Sequence, residues 1–277
     1  MNITEPGIYS MTDEEYHADP IEGGSLSSTG AKWLTTDPPA KLREILDNGR
    51  PDTVAFDEGK AAHALVLGTG PELVEIPGSW VRKANKETVA EVRERGGVPL
   101  HSDQWERVHA MADAVKRNDL ALALLTSGTP EQSAFWQDER TGVWCRARFD
   151  VLPDVVAGRM IVPDYKTAAS ARPDKFARSA ADYDYNQQAD FYLRAVRALG
   201  LASEAAFVFV VQEKSPPYLV AVRQIEHDAM QIAARLNDAA IDTFAQCQAS
   251  GEWPGYPAEV EPIEFPSYYY IRNQETP

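Results

Sequence analysis

Strict alternation of apolar and polar residues marks the middle of the chain. Between Val143 and Val151, one series is Val143, Cys145, Ala147, Phe149 and Val151, and the other is Trp144, Arg146, Arg148 and Asp150. A period of two is the signature of a strand with each series on its own face. Asp138-Glu139-Arg140-Thr141-Gly142 reads as a hairpin turn, which makes Glu131 to Gln137 the expected antiparallel partner. Met160-Ile161-Val162 leads into a third strand through Asp164-Tyr165-Lys166. The runs Phe207 to Val211 and Tyr218 to Ile225 predict two more strands.

Helical periodicity covers most of the rest. Short helices are predicted over Gly30 to Leu34 and Ala40 to Asn48, split by Asp37-Pro38-Pro39. Phe56 to Leu67 follows, with His63 among apolar neighbours, where a histidine is by itself more often a core residue than a ligand. Ser102 to Leu125 reads as one amphipathic helix, Asp174 to Leu199 as another closed by Gly200, and Asp228 to Gln248 as a third. The opening through Ser25-Leu26-Ser27-Ser28-Thr29 reads as loop, and Pro71 to Pro99 as strand and charged loop. Trp253 to Tyr270 is rich in proline and aromatics, with Tyr268-Tyr269-Tyr270 expected to pack.

Strand parity gives the polar series a chemical meaning. Asp164 and Lys166 share a face while Tyr165 points to the opposite layer, and Arg146, Arg148 and Asp150 share one surface of their own strand. Three adjacent strands thus carry Glu131, Asp150, Asp164 and Lys166 toward one edge. Carboxylates hold hard divalent cations through oxygen, and a lysine beside them is a fixed positive charge. Arg146 and Arg148 are then the expected phosphate clamps, Arg148 being nearer Asp150. Pro-Asp occurs at both Pro153-Asp154 and Pro163-Asp164, so Asp154 competes with Asp150 as first ligand. The Arg-x-Arg-x-Asp context and a strand end at Pro153 favour Asp150.

Composition narrows the field. The 277 residues can bury a large core, but a formal charge of −15 argues against general attraction to nucleic acid. From Arg140 to Arg197 the balance reverses, with 10 Lys/Arg against 7 Asp/Glu. Cys145 and Cys247 are far apart and have no C-x-x-C neighbour, which excludes a disulfide framework and an iron–sulfur cluster. Gly59-Lys60 lacks the rest of a phosphate-binding loop, and no G-x-S-x-G, H-E-x-x-H or G-x-G-x-x-G element occurs, so no nucleotide cofactor is expected. Without a long apolar run or a signal-like start, the expectation is a cytoplasmic protein with no membrane partner.

The ordered set Gly59-x-x-x-His63, Glu131, Arg146-Ala147-Arg148-Phe149-Asp150, Asp164-Tyr165-Lys166-Thr167 and Gln188-x-x-x-Tyr192 resembles the PD-(D/E)XK nuclease superfamily in its RecB-type branch. Within that branch it is most similar to the RecE-type exonucleases (exonuclease VIII) of phages and prophages, over roughly Gly24 to Tyr256. The resemblance implies an α/β fold with a mixed central sheet flanked by helices, a restriction-endonuclease-like core. It implies one nuclease domain over 1–277, with 1–55 as a DNA-end-binding or accessory segment and 250–277 as a packing tail. Asp150, Asp164 and the Tyr165 backbone carbonyl would ligate Mg²⁺ or Mn²⁺, with His63 as a further ligand and Glu131 near a second metal or the attacking water. Lys166 would orient or deprotonate that water. Gln188 and Tyr192 would touch the substrate backbone or hold the lysine. The implied activity is 5′ to 3′ digestion of linear double-stranded DNA, leaving a 3′ single strand for a RecT-like annealing protein. A ring-shaped homo-oligomer would supply processivity. The alternatives are an inert DNA-end-binding or assembly module and a CRISPR-adaptation or helicase-associated nuclease.

Overall fold

The hairpin at the centre of the sequence forms the spine of the molecule, described over residues 2–49 and 57–274 by a computed structural model. In chain order the elements begin with β1 (Gly7–Ser10), α1 (Asp13–His17), β2 (Leu26–Ser27), α2 (Ser28–Thr36), α3 (Pro39–Asn48) and α4 (Asp57–Leu67). Next come β3 (Leu73–Glu75), α5 (Lys83–Glu94), β4 (Val98–Leu100), α6 (Ser102–Lys116) and α7 (Asp119–Leu125). The strands β5 (Gly128–Gln137), β6 (Trp144–Pro153) and β7 (Arg159–Ala168) follow. After α8 (Pro173–Asp182) and α9 (Tyr185–Ala198), the chain returns through β8 (Glu204–Glu213) and β9 (Val220–Arg223). It then forms α10 (His227–Ser250) and α11 (Ser267–Gln274).

Hydrogen-bonded strands run β1-β5-β6-β2 in one set and β7-β8-β9 in another, with β3-β4 apart. β6 lies beside β7, and both parallel pairs (β2/β6, β7/β8) and antiparallel pairs (β1/β5, β5/β6, β8/β9) occur. This is the expected mixed central sheet flanked by helices. The hairpin turn closes as read: Asp138 Oδ1 accepts from the Thr141 backbone N–H (3.0 Å) and hydroxyl (2.9 Å), and Gly142 takes φ 74°. One core packs Cys145, Ala147, Phe149 and Phe209 against Phe191 and Tyr192 of α9, and Ile241 and Phe244 of α10. The other packs Val151, Tyr165 and Val210 against Ala61 and Ala62 of α4 and Val108 and Met111 of α6.

Phe149 and Val151 belong to one alternating series, yet they enter different cores. The register accounts for it. Pro130 pairs with Val151 and Gln132 with Phe149, while Glu131, opposite Asp150, has φ 55° and leaves the ladder. A non-glycine residue in the left-handed region distorts the hairpin there. That interruption lies where the two sheets and α4 meet.

Several element boundaries differ from expectation. The opening segment, expected as loop, contributes two short strands to the sheet: β1 pairs with β5 and β2 with β6. Within 71–99, α5 is a helix, because Val89 and Val92 at i, i+3 are buried under a charged exterior. The expected helix over 102–125 breaks at Asn118, whose Oδ1 caps α7 by accepting from the Ala121 N–H at 3.0 Å. The expected helix over 174–199 breaks at Asp184, which takes φ 49°. Tyr268, Tyr269 and Tyr270 do not pack into the core, being 66%, 38% and 50% exposed. Phe56, the expected start of α4, lies outside the described residues.

Candidate active site

α4, whose Ala61 and Ala62 share a core with Tyr165 and Val151, brings His63 onto the interrupted point of the hairpin. His63 Nε2 stands 3.2 Å from Asp150 Oδ1, and its Nδ1 stands 3.5 Å from Glu131 Oε1. One imidazole therefore bridges the two acids that face each other across the hairpin. From the neighbouring strand, the Tyr165 backbone N–H donates to Asp150 Oδ2 at 2.7 Å. The middle residue of the Asp164-Tyr165-Lys166 triplet thus fixes the acid of β6 through its main chain. Its ring goes to the other layer as parity requires, and its hydroxyl donates to Gln212.

Asp164 is nearly sealed at 2% exposure, and Gln188 Nε2 donates to its Oδ1 at 2.6 Å. Lys166 Nζ lies 2.7 Å from Oδ2, so the buried carboxylate is paired with an amide on one oxygen and an ammonium on the other. Burial pushes the Asp164 carboxyl up to about 6, with the Asp150 charge adding to the rise and Lys166 opposing it. At Asp150 burial pulls the same way, but His63, Lys166 and the Tyr165 N–H outweigh it and hold the carboxyl below the ordinary range. The two acids are thereby split in proton affinity. Burial disfavours charge on His63 and Lys166 as well, yet the surrounding acids raise both, so the lysine stays an ammonium.

Among the described residues, no three His, Cys, Asp or Glu side chains are closed around one point as a finished metal cage. The donor set nevertheless fits a hard divalent cation. Asp150, Asp164 and Glu131 are oxygen donors and His63 is a single imidazole, gathered in one cluster with the Lys166 ammonium. Asp154 takes no part: it lies exposed beyond β6, its N–H bound to the Ser127 carbonyl at 2.8 Å.

The four side chains expected to touch substrate have partners within the protein. Arg146 is buried, and its guanidinium binds Asp19 and the Ser25 carbonyl (2.8 Å) and hydroxyl (2.7 Å). Arg148 donates to Glu131 Oε2 at 2.6 Å, Ser133 Oγ at 2.9 Å and the Met11 carbonyl at 3.1 Å. Arg146 is thus tied to the N-terminal segment and Arg148 to β5 and Met11, and both lie over the Tyr16 ring, at 5.5 and 5.8 Å. Gln188 and Tyr192 are buried as well. The first orients Asp164, the carboxylate paired with Lys166, and the second donates its hydroxyl to the Arg148 carbonyl at 2.8 Å.

Two residues at the site were not anticipated. Tyr185 carries the Lys166 ammonium 5.5 Å from its ring centre. It opens α9, and the helix break that places it has no strong signal in the sequence. Ser133, buried beneath Arg148, is legible only once the Glu131 pairing is known.

A sequence model described as "PDDEXK-like domain of unknown function (DUF3799)" matches residues 36–265. Among solved structures, the crystal structure of a "Putative exonuclease" from Eubacterium rectale is similar, with a TM-score of 0.63 and 14% identity. The similarity covers 97% of this chain and 100% of that one, and at such identity it speaks for the fold. No curated protein matches the sequence. The family match spans every residue of the cluster from His63 to Gln188, and the chain belongs to the PDDEXK-like family DUF3799.

Proposed function

We propose that this protein is a metal-dependent nuclease that degrades linear double-stranded DNA from its ends. The observation that carries the reading is the convergence of a buried Asp164 and the largely buried Asp150 and Lys166 with His63 and Glu131 at the same point. Burying charge is expensive, and a fold that only needed rigidity could use apolar residues of similar volume here. Asp150 and Asp164, with His63, Glu131 and the Tyr165 carbonyl, would hold Mg²⁺ or Mn²⁺. When bound, such a cation supplies Lewis-acid polarisation of the phosphodiester and lowers the pKa of water.

The chain's own residues do the rest. Lys166, kept protonated by the acids, presents Nζ as a fixed positive charge for the negative charge that develops on phosphate oxygens. This favours an electrostatic role for Lys166 over proton abstraction. Gln188 and the Tyr165 N–H lock one oxygen of each essential carboxylate, and the other oxygen of each points into the cluster. Tyr192 fixes the β6 main chain two residues before Asp150. Tyr185 lies against the Lys166 ammonium and gives the site an aromatic wall, which limits water and strengthens that charge.

The finer reading follows the RecE-type resemblance: 5′ to 3′ polarity with Mg²⁺, a 3′ single strand passed to a RecT-like annealing protein, and a ring of subunits around the DNA. The test is digestion of end-labelled linear duplex and covalently closed circles with Mg²⁺. Linear DNA is expected to lose label from one polarity while circles persist. Equal cleavage of circles would refute the exonuclease reading, and absence of cleavage of either would refute the nuclease reading.

A further inference from the structure

Beyond the charged cluster, the break between α8 and α9 builds an aromatic stack that leads from the lysine to solvent. Tyr185 lies beside Lys166, with the ammonium 5.5 Å from its ring centre. Its ring is stacked on Phe209 of β8 (5.4 Å, 30° between planes) and also packs on Phe176 of α8 at 5.9 Å. Tyr183 stacks on Tyr185 in turn (5.8 Å, 25°), and Tyr183 is 62% exposed. Phe209 itself is fully buried. The series therefore runs from core to surface and presents to solvent an aromatic ring one step beyond the tyrosine that contacts the lysine.

Scattered exposed tyrosines are ordinary on a protein surface. Tyr183 differs in being held. Its main chain ends α8, the Asp184 that follows is forced to φ 49°, and Lys32 of α2 donates to the Tyr183 carbonyl at 3.1 Å. A continuous α8–α9 helix would place residues 183 and 185 about 200° apart around the axis, so they could not stack. The break is what brings the two rings together. Lys32 also puts a positive charge at the rim of the stack.

We infer that Tyr183 is a nucleobase-stacking subsite: it receives the base of a nucleotide adjoining the phosphodiester held at Lys166. Every base offers a π-face, so such a subsite tolerates any sequence, and a base free of its partner can be drawn onto it without its complement. The substrate would thus be a frayed or single-stranded end, with the terminal base drawn onto Tyr183. This rests on the nuclease reading above and adds the unpaired base as the substrate feature recognised.

The test uses the full chain and linear DNA ends that carry adenine or an abasic analogue at each of the first three positions. Wild type is expected to cleave the adenine end about tenfold faster than the abasic end at one of these positions. Tyr183→Ala should bring that ratio close to one, while Tyr183→Phe, which keeps the π-face, should retain it. In EDTA, 2-aminopurine at the same position should be quenched on binding wild type and Tyr183→Phe but not Tyr183→Ala. An abasic penalty equal in wild type and Tyr183→Ala, with cleavage otherwise intact, overturns this inference alone. Failure of wild type to cleave any of the ends overturns the nuclease reading and this inference with it.

Discussion

Replacing Arg148 with glutamine distinguishes a residue that positions Glu131 from one that grips phosphate. Arg148 and Glu131 form a 2.6 Å pair whose side chains are 13% and 22% exposed. Glu131 sits opposite Asp150 with a left-handed backbone, so its carboxylate is held close to a second acid. Removing the guanidinium leaves Glu131 with His63 alone, and frees Ser133 Oγ and the Met11 carbonyl of their donor. Breaking a fully buried pair costs about 3–5 kcal/mol. With partial exposure the expected loss is about 2 kcal/mol, and about 1 kcal/mol of it should vanish when Glu131→Gln is already present. The assay is urea unfolding in EDTA at neutral pH of wild type, both single variants and the double variant. A phosphate clamp would leave metal-free, DNA-free stability unchanged and instead lower the salt dependence of DNA binding. Coupling between the two substitutions indistinguishable from zero would refute the positioning role.

Two further outcomes follow from the same geometry. Lys166→Ala should lower cleavage about 10²-fold or more, because the fixed cation beside the reacting phosphate is gone, while DNA bound in EDTA changes little. Cleavage within a few-fold of wild type would remove Lys166 from the chemistry. The second outcome concerns His63, whose folded-state pKa is raised by Asp150 and Glu131 against the opposing effect of burial. A raised histidine contributes stability fully below its unfolded value of about 6.5, and that contribution is lost as pH rises through the folded value. In EDTA, His63→Asn should therefore be less stable than wild type at pH 5.5, and the two curves should converge above the raised value. A difference in urea midpoint that does not vary with pH would refute the link.

The strands and the cluster were legible because both rest on short-range rules. Alternation located β6 and β7, and the Asp138 to Gly142 turn set the register that brings Glu131 opposite Asp150. The same parity placed Asp164 and Lys166 together and sent Tyr165 away. Tertiary partners were not legible. A polar series with two arginines and an acid reads as a substrate surface, yet Asp19, Ser25 and Met11, more than a hundred residues upstream, satisfy those arginines. Helix ends failed for a local reason. Asn118 and Asp184 sit inside continuous helical periodicity, and only their own backbone geometry, one a cap and one a left-handed turn, ends the run. The stack of Tyr183 on Tyr185 depends on that second break, so it could not be read before the break was known.

The pairing of the arginines also changes what the charge of this region means. An excess of Lys and Arg from Arg140 to Arg197, in a chain of net −15, suggested a local basic surface. In the structure Arg140 pairs with Asp242, Arg146 with Asp19, Arg148 with Glu131, Arg159 with Glu204, Arg172 with Asp174 and Arg194 with Asp190 and Asp238. Several of these acids lie outside the segment, so counting along the chain credits the segment with cations that are neutralised in space. A paired guanidinium contributes a short-range dipole, and its field falls off well within one Debye length. Attraction between this protein and a phosphodiester, on the nuclease reading, therefore draws on divalent charge held by the acids and on cations outside these pairs, such as Lys175 and Arg178. The acidic exterior and the nuclease reading are then compatible, because the positive field at the scissile phosphate need only be local.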